Sequence, residues 1–213
     1  MKYPKAVSRL MNFFYRFQGV GRKTAERFAF ELLNGWQKDT IEAFAQALKE
    51  LPDSIIVCSE CRTPVDSMPC PFCDDERKRY GALCVVASPK DVYAIEATAQ
   101  FPGTFYVLGG LLSPLSEYGI GDMGIDLLKR RIQQEESQEV ILALDSSVEG
   151  DATVTFLRSE LEPLQVIISR LASGLPVGTS LDFVDRGTLS RAFSGRQRVG
   201  AGAISEKRVE IVP

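Results

Sequence analysis

The sequence predicts an α+β protein of several modules: a basic helical N-terminal region, a small four-cysteine module, an α/β domain on a parallel sheet, and a C-terminal extension of a strand and a helix. Three observations carry this expectation. Two CxxC pairs, Cys58/Cys61 and Cys70/Cys73, face each other across eight residues of a proline-rich stretch. From Ala82 onward, short apolar runs alternate with amphipathic segments, the pattern of strands separated by helices. Between Met1 and Lys38 stand eight basic residues against two acidic ones, although the whole chain carries a net charge of -3.

Each module can be bounded by its pattern. Residues 1–52 form the helical region. Leu10, Phe13, Phe14 and Phe17 recur at helical spacing, as do Ala25, Phe28, Ala29, Leu32 and Leu33, with Gly35 as a stop. A third helix is expected from Asp39 or Thr40, as N-cap, to Leu51, where Pro52 blocks continuation. Residues 53–79 hold four of the five cysteines together with Pro64, Pro69 and Pro71, and have little apolar core.

Residues 80–173 form the α/β domain. Strands are expected at Leu83–Val86, Thr104–Leu108 and Val140–Leu144, with a final apolar run at Leu164–Ile168. Helices are expected at Asp91–Gln100, Asp122–Glu135 and Glu149–Glu162. Residues 174–213 supply a strand at Leu181–Val184, a short helix around Thr188–Phe193, and the basic turn Gly195-Arg196-Gln197-Arg198.

Composition narrows the function. Hydrophobic residues at 45% and charged residues at 25% fit a globular chain and exclude a disordered one. The small net charge means that any affinity for nucleic acid must come from a local cluster. No apolar run is long enough to span a bilayer. Met1 to Phe17 mixes Lys2, Lys5, Arg9 and Arg16 with aromatics and lacks the apolar centre of a signal peptide. A cytoplasmic protein is expected, in which reduced CxxC pairs indicate metal or redox chemistry and not disulfides. The chain has no histidine, which removes Ser/His and Cys/His nucleophile pairs and leaves thiolates or carboxylates as metal ligands.

The spacing Cys58-x-x-Cys61, Cys70-x-x-Cys73 turns two pairs of sulfurs toward one point, which suits a single zinc ion in a tetrahedral thiolate shell. An iron–sulfur cluster and a redox dithiol are the alternatives; a redox pair is expected at a helix start, and neither pair is placed at one. No catalytic acid accompanies the cysteines, so the ion is read as structural, and its binding as part of the folding energy. Cys84, within a strand, reads as a buried hydrophobe and not as a fifth ligand.

At the N-terminus, Gly19-Val20-Gly21 separates two helices, the second beginning near Arg22. Both glycines permit unusual backbone angles, and Val20 plugs the gap between the helices. A helix N-terminus offers unpaired N–H groups to phosphate, and Lys23 and Arg27, four apart, share the adjacent face. The segment resembles the helix-hairpin-helix motif, which holds the DNA backbone without reading bases; Gly19, Gly21, Arg22, Lys23 and Arg27 are the candidate DNA-binding residues. A packed turn with a solvated basic face is the alternative.

Asp145-Ser146-Ser147-Val148-Glu149-Gly150-Asp151 follows an expected strand and opens a helix, the position where open α/β sheets place their sites. It resembles the Toprim domain, whose acids hold magnesium. Asp145 matches the first aspartate of that pattern, but Ser147 stands at the second and Ala87 at the glutamate. A weak magnesium site, favourable charge at a helix N-terminus, and a polar docking surface are the three readings, of which the docking surface is preferred.

Taken together, these parts are similar to the RecR family of bacterial recombination proteins over nearly the full chain. The likeness extends through Pro89-Lys90-Asp91-Val92, the run Val107-Leu108-Gly109-Gly110-Leu111-Leu112-Ser113-Pro114-Leu115, Val148-Glu149-Gly150 and Gly187-Thr188-Leu189-Ser190-Arg191-Ala192-Phe193. The resemblance implies a mediator without catalytic activity. It implies a ring-like oligomer, usually a tetramer, that acts with RecO and RecF at single-strand gaps to load RecA. It also implies DNA contacts from Lys23 and Arg27 and partner contacts from Glu149 and Asp151. Ala87 and Tyr106 depart from the family, where a glutamate and a histidine are common. A magnesium-dependent Toprim nuclease or primase-like enzyme, and a pure protein scaffold, are the competing functions.

Overall fold

A computed structural model of the chain describes residues 3–113, 119–172 and 174–196. The described residues divide into two compact units, one within Met1–Val57 and Pro64–Met68, the other within Cys58–Thr63 and Pro69–Pro213.

The first unit begins with α1 (Lys5–Phe14) and α2 (Arg22–Gly35), which pack together. They bury Val7 from α1 and Ala25 and Ala29 from α2. Alanine keeps that seam narrow, and aromatic rings close its flanks edge to face: Tyr3 on Phe30 and Phe14 on Phe28. The Tyr3 hydroxyl donates to Glu26 at 2.6 Å. α1 stops at Phe14, so Phe17 lies beyond it and is 62% exposed, although its spacing continued the apolar face.

The third helix, α3, runs Lys38–Ser54 with Gln37 as N-cap, not Asp39 or Thr40. Pro52 lies inside it rather than ending it. In the last turn the missing N–H forfeits one hydrogen bond, and the helix continues two residues further. A two-stranded antiparallel ribbon, β1 (Ile56–Val57) with β2 (Pro64–Val65), completes the unit.

In the second unit the short helix α4 (Asp75–Arg79) leads into β3 (Ala82–Val86). Then follow α5 (Pro89–Glu96), β4 (Thr104–Val107), α6 (Ile125–Gln134), β5 (Glu139–Ala143), α7 (Val148–Leu161) and β6 (Ile167–Arg170). The strands form one parallel sheet in the order β4-β3-β5-β6. β3 and β4 are buried along their whole length, as strands covered on both faces must be. Leu83, Val85, Tyr106, Leu128, Leu142, Leu157 and Leu161 belong to one core cluster. The chain leaves β3 for β4 and returns on the other side as β5, so the topological switch point lies between β3 and β5. Ala87 and Asp145 follow the carboxyl ends of these two strands, the usual place for a site in such a sheet.

Several boundaries shift for local reasons. α5 begins at Pro89 because Ser88 and Asp91 form a capping box, the Ser88 N–H donating to the Asp91 carboxylate at 2.8 Å. The segment before α6 is a 3-10 turn (Ile120–Met123), separated from the helix by Gly124 at φ +65°. Glu162–Leu164 forms a 3-10 turn and Gln165 has φ +56°, so β6 starts at Ile167 and not at Leu164. The strand expected at Leu181–Val184 is a 3-10 turn, Leu181–Phe183. Leu181 and Phe183 are 58% and 86% exposed, and among the described residues no strand pairs with them. The expected C-terminal helix is α8 (Arg186–Ser194), capped by Asp185. Pro114, Leu115 and the Gln197-Arg198 part of the basic turn lie outside the described residues.

Candidate metal centre and nucleic-acid interface

Tight turns bring the four cysteines together. The Cys58 N–H donates to the Thr63 carbonyl at 3.0 Å, and the Arg62 N–H to the Cys58 carbonyl at 2.9 Å, with Arg62 at φ +64°. The Cys73 N–H donates to the Cys70 carbonyl at 3.1 Å. All four sulfurs are buried and lie within 4.8 Å of one another. Cys58 Sγ stands 3.9 Å from Cys73 Sγ, and Cys61 Sγ 3.6 Å from Cys70 Sγ. A tetrahedral zinc with Zn–S bonds of about 2.3 Å has sulfur–sulfur edges of about 3.8 Å. The donor set therefore fits one such ion. Cys84 is buried in β3, outside this cluster. Contrary to the sequence expectation, the second pair does stand at a helix start, since Asp74 caps α4 directly after Cys73.

The crowded sulfurs compete for protons. Hydrogen bonding from Cys73 lowers Cys61 to about 5. The same bond raises Cys73 above the usual thiol range, and burial raises Cys70 to about 12. A divalent cation bound here would displace these protons and be held by Cys58, Cys61, Cys70 and Cys73 as thiolates.

The cysteine turns are fastened to the sheet by interactions that no motif announces. The Val107 N–H donates to the Cys61 carbonyl at 2.9 Å. Arg62 donates to the carbonyls of Leu108 and Met123, both at 2.8 Å, and of Asp122 at 2.9 Å. Arg77 grips both oxygens of Glu96 at 2.8 Å, and Lys78 pairs with Glu60 at 3.0 Å. Arg131, on α6, is buried: it donates to Glu135 at 2.7 Å, to the Phe105 carbonyl at 2.6 Å and to Cys73 Sγ at 3.4 Å. A charged residue between Leu128 and Ile132 on an otherwise apolar face was the available sequence signal.

In the first unit, Gly19 has φ +79° and forms the turn, with the Val20 N–H donating to the Phe17 carbonyl at 3.1 Å. Gly21 does not need glycine's freedom; it is the N-cap of α2, at φ -79° and ψ 171°. No side chain caps α2, and first-turn N–H groups have no partner within their own helix. Arg22, Lys23 and Arg27 are exposed, and none makes an ion pair with a described residue. The Arg27 guanidinium lies 5.7 Å over the Phe28 ring, which orients it along the helix surface.

The acidic segment has a different character. Ser147 is the N-cap of α7, accepting from the Gly150 N–H at 3.0 Å, so the residue at the second Toprim aspartate position serves the helix. Asp151 accepts from Arg170 at 2.7 Å and from Arg191 of α8 at 3.5 Å; Arg191 also donates to the Ser146 carbonyl at 2.7 Å. Ala87 packs against the core cluster. Among the described residues Asp145, Glu149 and Asp151 do not converge as ligands, and the cysteines are the one such group. Tyr106 is buried and its hydroxyl lies 2.8 Å from the Gly124 carbonyl.

Three stretches of the chain match family models. Residues 7–51 match the RecR helix-hairpin-helix family, residues 81–172 the Toprim domain, and residues 174–197 the RecR C-terminal family. The chain is 46% identical over 198 residues to the recombination protein RecR of Protochlamydia amoebophila, covering 93% of this chain and 100% of that one. It is 48% identical over 198 residues to the recombination protein RecR of Chlamydia trachomatis serovar D, covering 92% and 98%. With two RecR-specific modules, a Toprim domain and relatives matched along 98–100% of their length, this chain belongs to the RecR family.

Proposed function

We propose that this protein is a non-enzymatic, DNA-binding recombination mediator of recombinational DNA repair. In this reading it forms a ring-like homotetramer in the cytoplasm and works with RecO and RecF to load RecA at single-strand gaps. The observation that carries the reading is the juxtaposition at the N-terminus of α2: an uncapped helix end, a glycine turn, and the exposed cations Arg22, Lys23 and Arg27. That arrangement favours phosphate contacts without base readout. The family and the name of its relatives, recombination protein, support the biological role.

The remaining parts take supporting roles. One zinc ion is held by Cys58, Cys61, Cys70 and Cys73, and its work is structural because every ligand position belongs to a buried cysteine. Glu149 and Asp151 form a surface for the partners RecO and RecF. On α3 no residue is buried, and Ile41, Phe44, Leu48 and Leu51 are exposed at spacings of three and four, an apolar stripe suited to self-association. Module boundaries at 1–52, 53–79, 80–173 and 174–213 accompany this assignment. The Asp151–arginine pairs and Ala87 count against a magnesium enzyme.

The test uses the full chain on a fluorescent gapped duplex. Salt-sensitive binding, with neither cleavage nor primer synthesis when magnesium is added, is the expected result. Magnesium-dependent turnover that disappears in Asp145→Ala overturns it.

A further inference from the structure

A buried donor stands beside the cysteine cluster in addition to its ligands. Arg131 has only 4% of its side chain exposed, and its Nη2 stands 3.4 Å from Cys73 Sγ. Its other nitrogens are fixed by Glu135 and the Phe105 carbonyl, and the second Glu135 oxygen accepts from the Thr104 hydroxyl at 2.8 Å. The guanidinium therefore cannot turn away from the sulfur.

A four-thiolate shell around a divalent ion retains excess negative charge on sulfur. Donors aimed at those sulfurs spread that charge and hold each ligand in orientation, and such surrounding residues tune metal retention. We propose that Arg131 is a positioning residue of the metal centre, donating to the sulfur of Cys73 and tightening the centre's hold on zinc. The proposal rests on the zinc reading of the four cysteines. Arg131 also ties that centre to the sheet, since the same guanidinium holds the Phe105 carbonyl of β4.

The experiment measures zinc content, zinc affinity by chelator competition, and the sulfur-to-metal charge-transfer band after cobalt substitution, in the full chain. Arg131→Met is expected to weaken zinc binding about 10–100-fold and to shift the cobalt band. Arg131→Lys, which keeps the charge, should fall between that variant and the wild type. Should Arg131→Met not fold, Arg131→Lys decides the matter. Folded variants with wild-type affinity and an unchanged band overturn the proposal while leaving zinc in place. A wild-type protein without thiolate-bound metal overturns the zinc reading itself, and this proposal with it.

Discussion

The backbone N–H of Val107 donates to the carbonyl of Cys61 across 2.9 Å, so a cysteine turn occupies the outer edge of the parallel sheet. Among the described residues β4 is an edge strand, paired with β3 on one side only. Exposed edges are points of fraying and of unwanted pairing. The cysteine cluster thus does two jobs: it gathers its own loop and covers the Val107 end of β4. Removing the ion with a chelator, or replacing Cys61 by serine, is expected to free this edge. Hydrogen exchange at the Val107 amide should accelerate toward that of a locally unfolded strand, while β3 and β5 amides stay protected. Metal-free protein in which Val107 remains as protected as Val85 would contradict this coupling.

The DNA prediction concerns charge without sequence. Lys23→Ala combined with Arg27→Ala removes two exposed cations from the face beside the α2 N-terminus. Affinity should fall equally for unrelated sequences, and the logarithmic salt slope should flatten by about 0.9 for each phosphate no longer neutralised. Fluorescence anisotropy across a salt series reads both quantities. An unchanged slope in the double variant removes these residues from the interface.

Much of this was legible in the sequence because local chemistry repeats there. The four cysteines, the glycine turn and the strand–helix alternation each depend on residues close in the chain. The failures have a common cause. Leu181–Val184 has strand-like composition, but a strand needs a partner, and composition does not supply one. Pro52 reads as a stop, yet in a last turn it forfeits a single bond. Arg62 and Arg131 were missed altogether: their partners, Leu108, Met123, Phe105 and Cys73, lie 26 to 61 residues away. Only the fold brings such pairs together.

The apolar stripe on α3 gives a prediction about assembly. Leu48 and Leu51 are exposed on a helix that buries nothing. Leu48→Glu with Leu51→Glu places charge in that stripe, and helix seams of this type tolerate no unpaired charge. The mass in solution should drop below that of the wild type, while far-ultraviolet circular dichroism remains unchanged. Identical mass at all concentrations would assign the stripe to something other than self-association.

For the acidic surface, the informative variant is Glu149→Lys. Asp151 already answers to Arg170 and Arg191, so its replacement disturbs α8 as well as any partner. Glu149 has no ion pair among the described residues, so reversing its charge tests partner binding at the cost of an unfavourable charge in the first turn of α7. Capture of RecO should weaken about 10-fold or more, as truncated interface charges commonly do. DNA affinity should not change. A variant that binds RecO normally would detach this segment from the partner surface.

Three glycines should rank by three different physical causes. A Cβ on Gly150 would stand 1.9 Å from the Asp145 carbonyl oxygen, because the first turn of α7 presses against the chain leaving β5. That oxygen is backbone and has little room to yield. Gly150→Ala should therefore cost about 1–3 kcal/mol, the range for overpacking, or more. Gly19 has open space around it but φ +79°, so Gly19→Ala should cost about 1–2 kcal/mol through backbone strain alone. Gly21 has neither obstacle: nothing lies within 4 Å and φ is -79°. Gly21→Ala should cost about 0.5–1 kcal/mol, the difference between these residues as N-caps. At this chain length each kcal/mol moves Tm by about 2–4 °C, so thermal unfolding separates the three. Gly150→Ala unfolding at the same temperature as Gly21→Ala would mean that α7 does not approach Asp145 this closely, and that the acidic segment is held some other way.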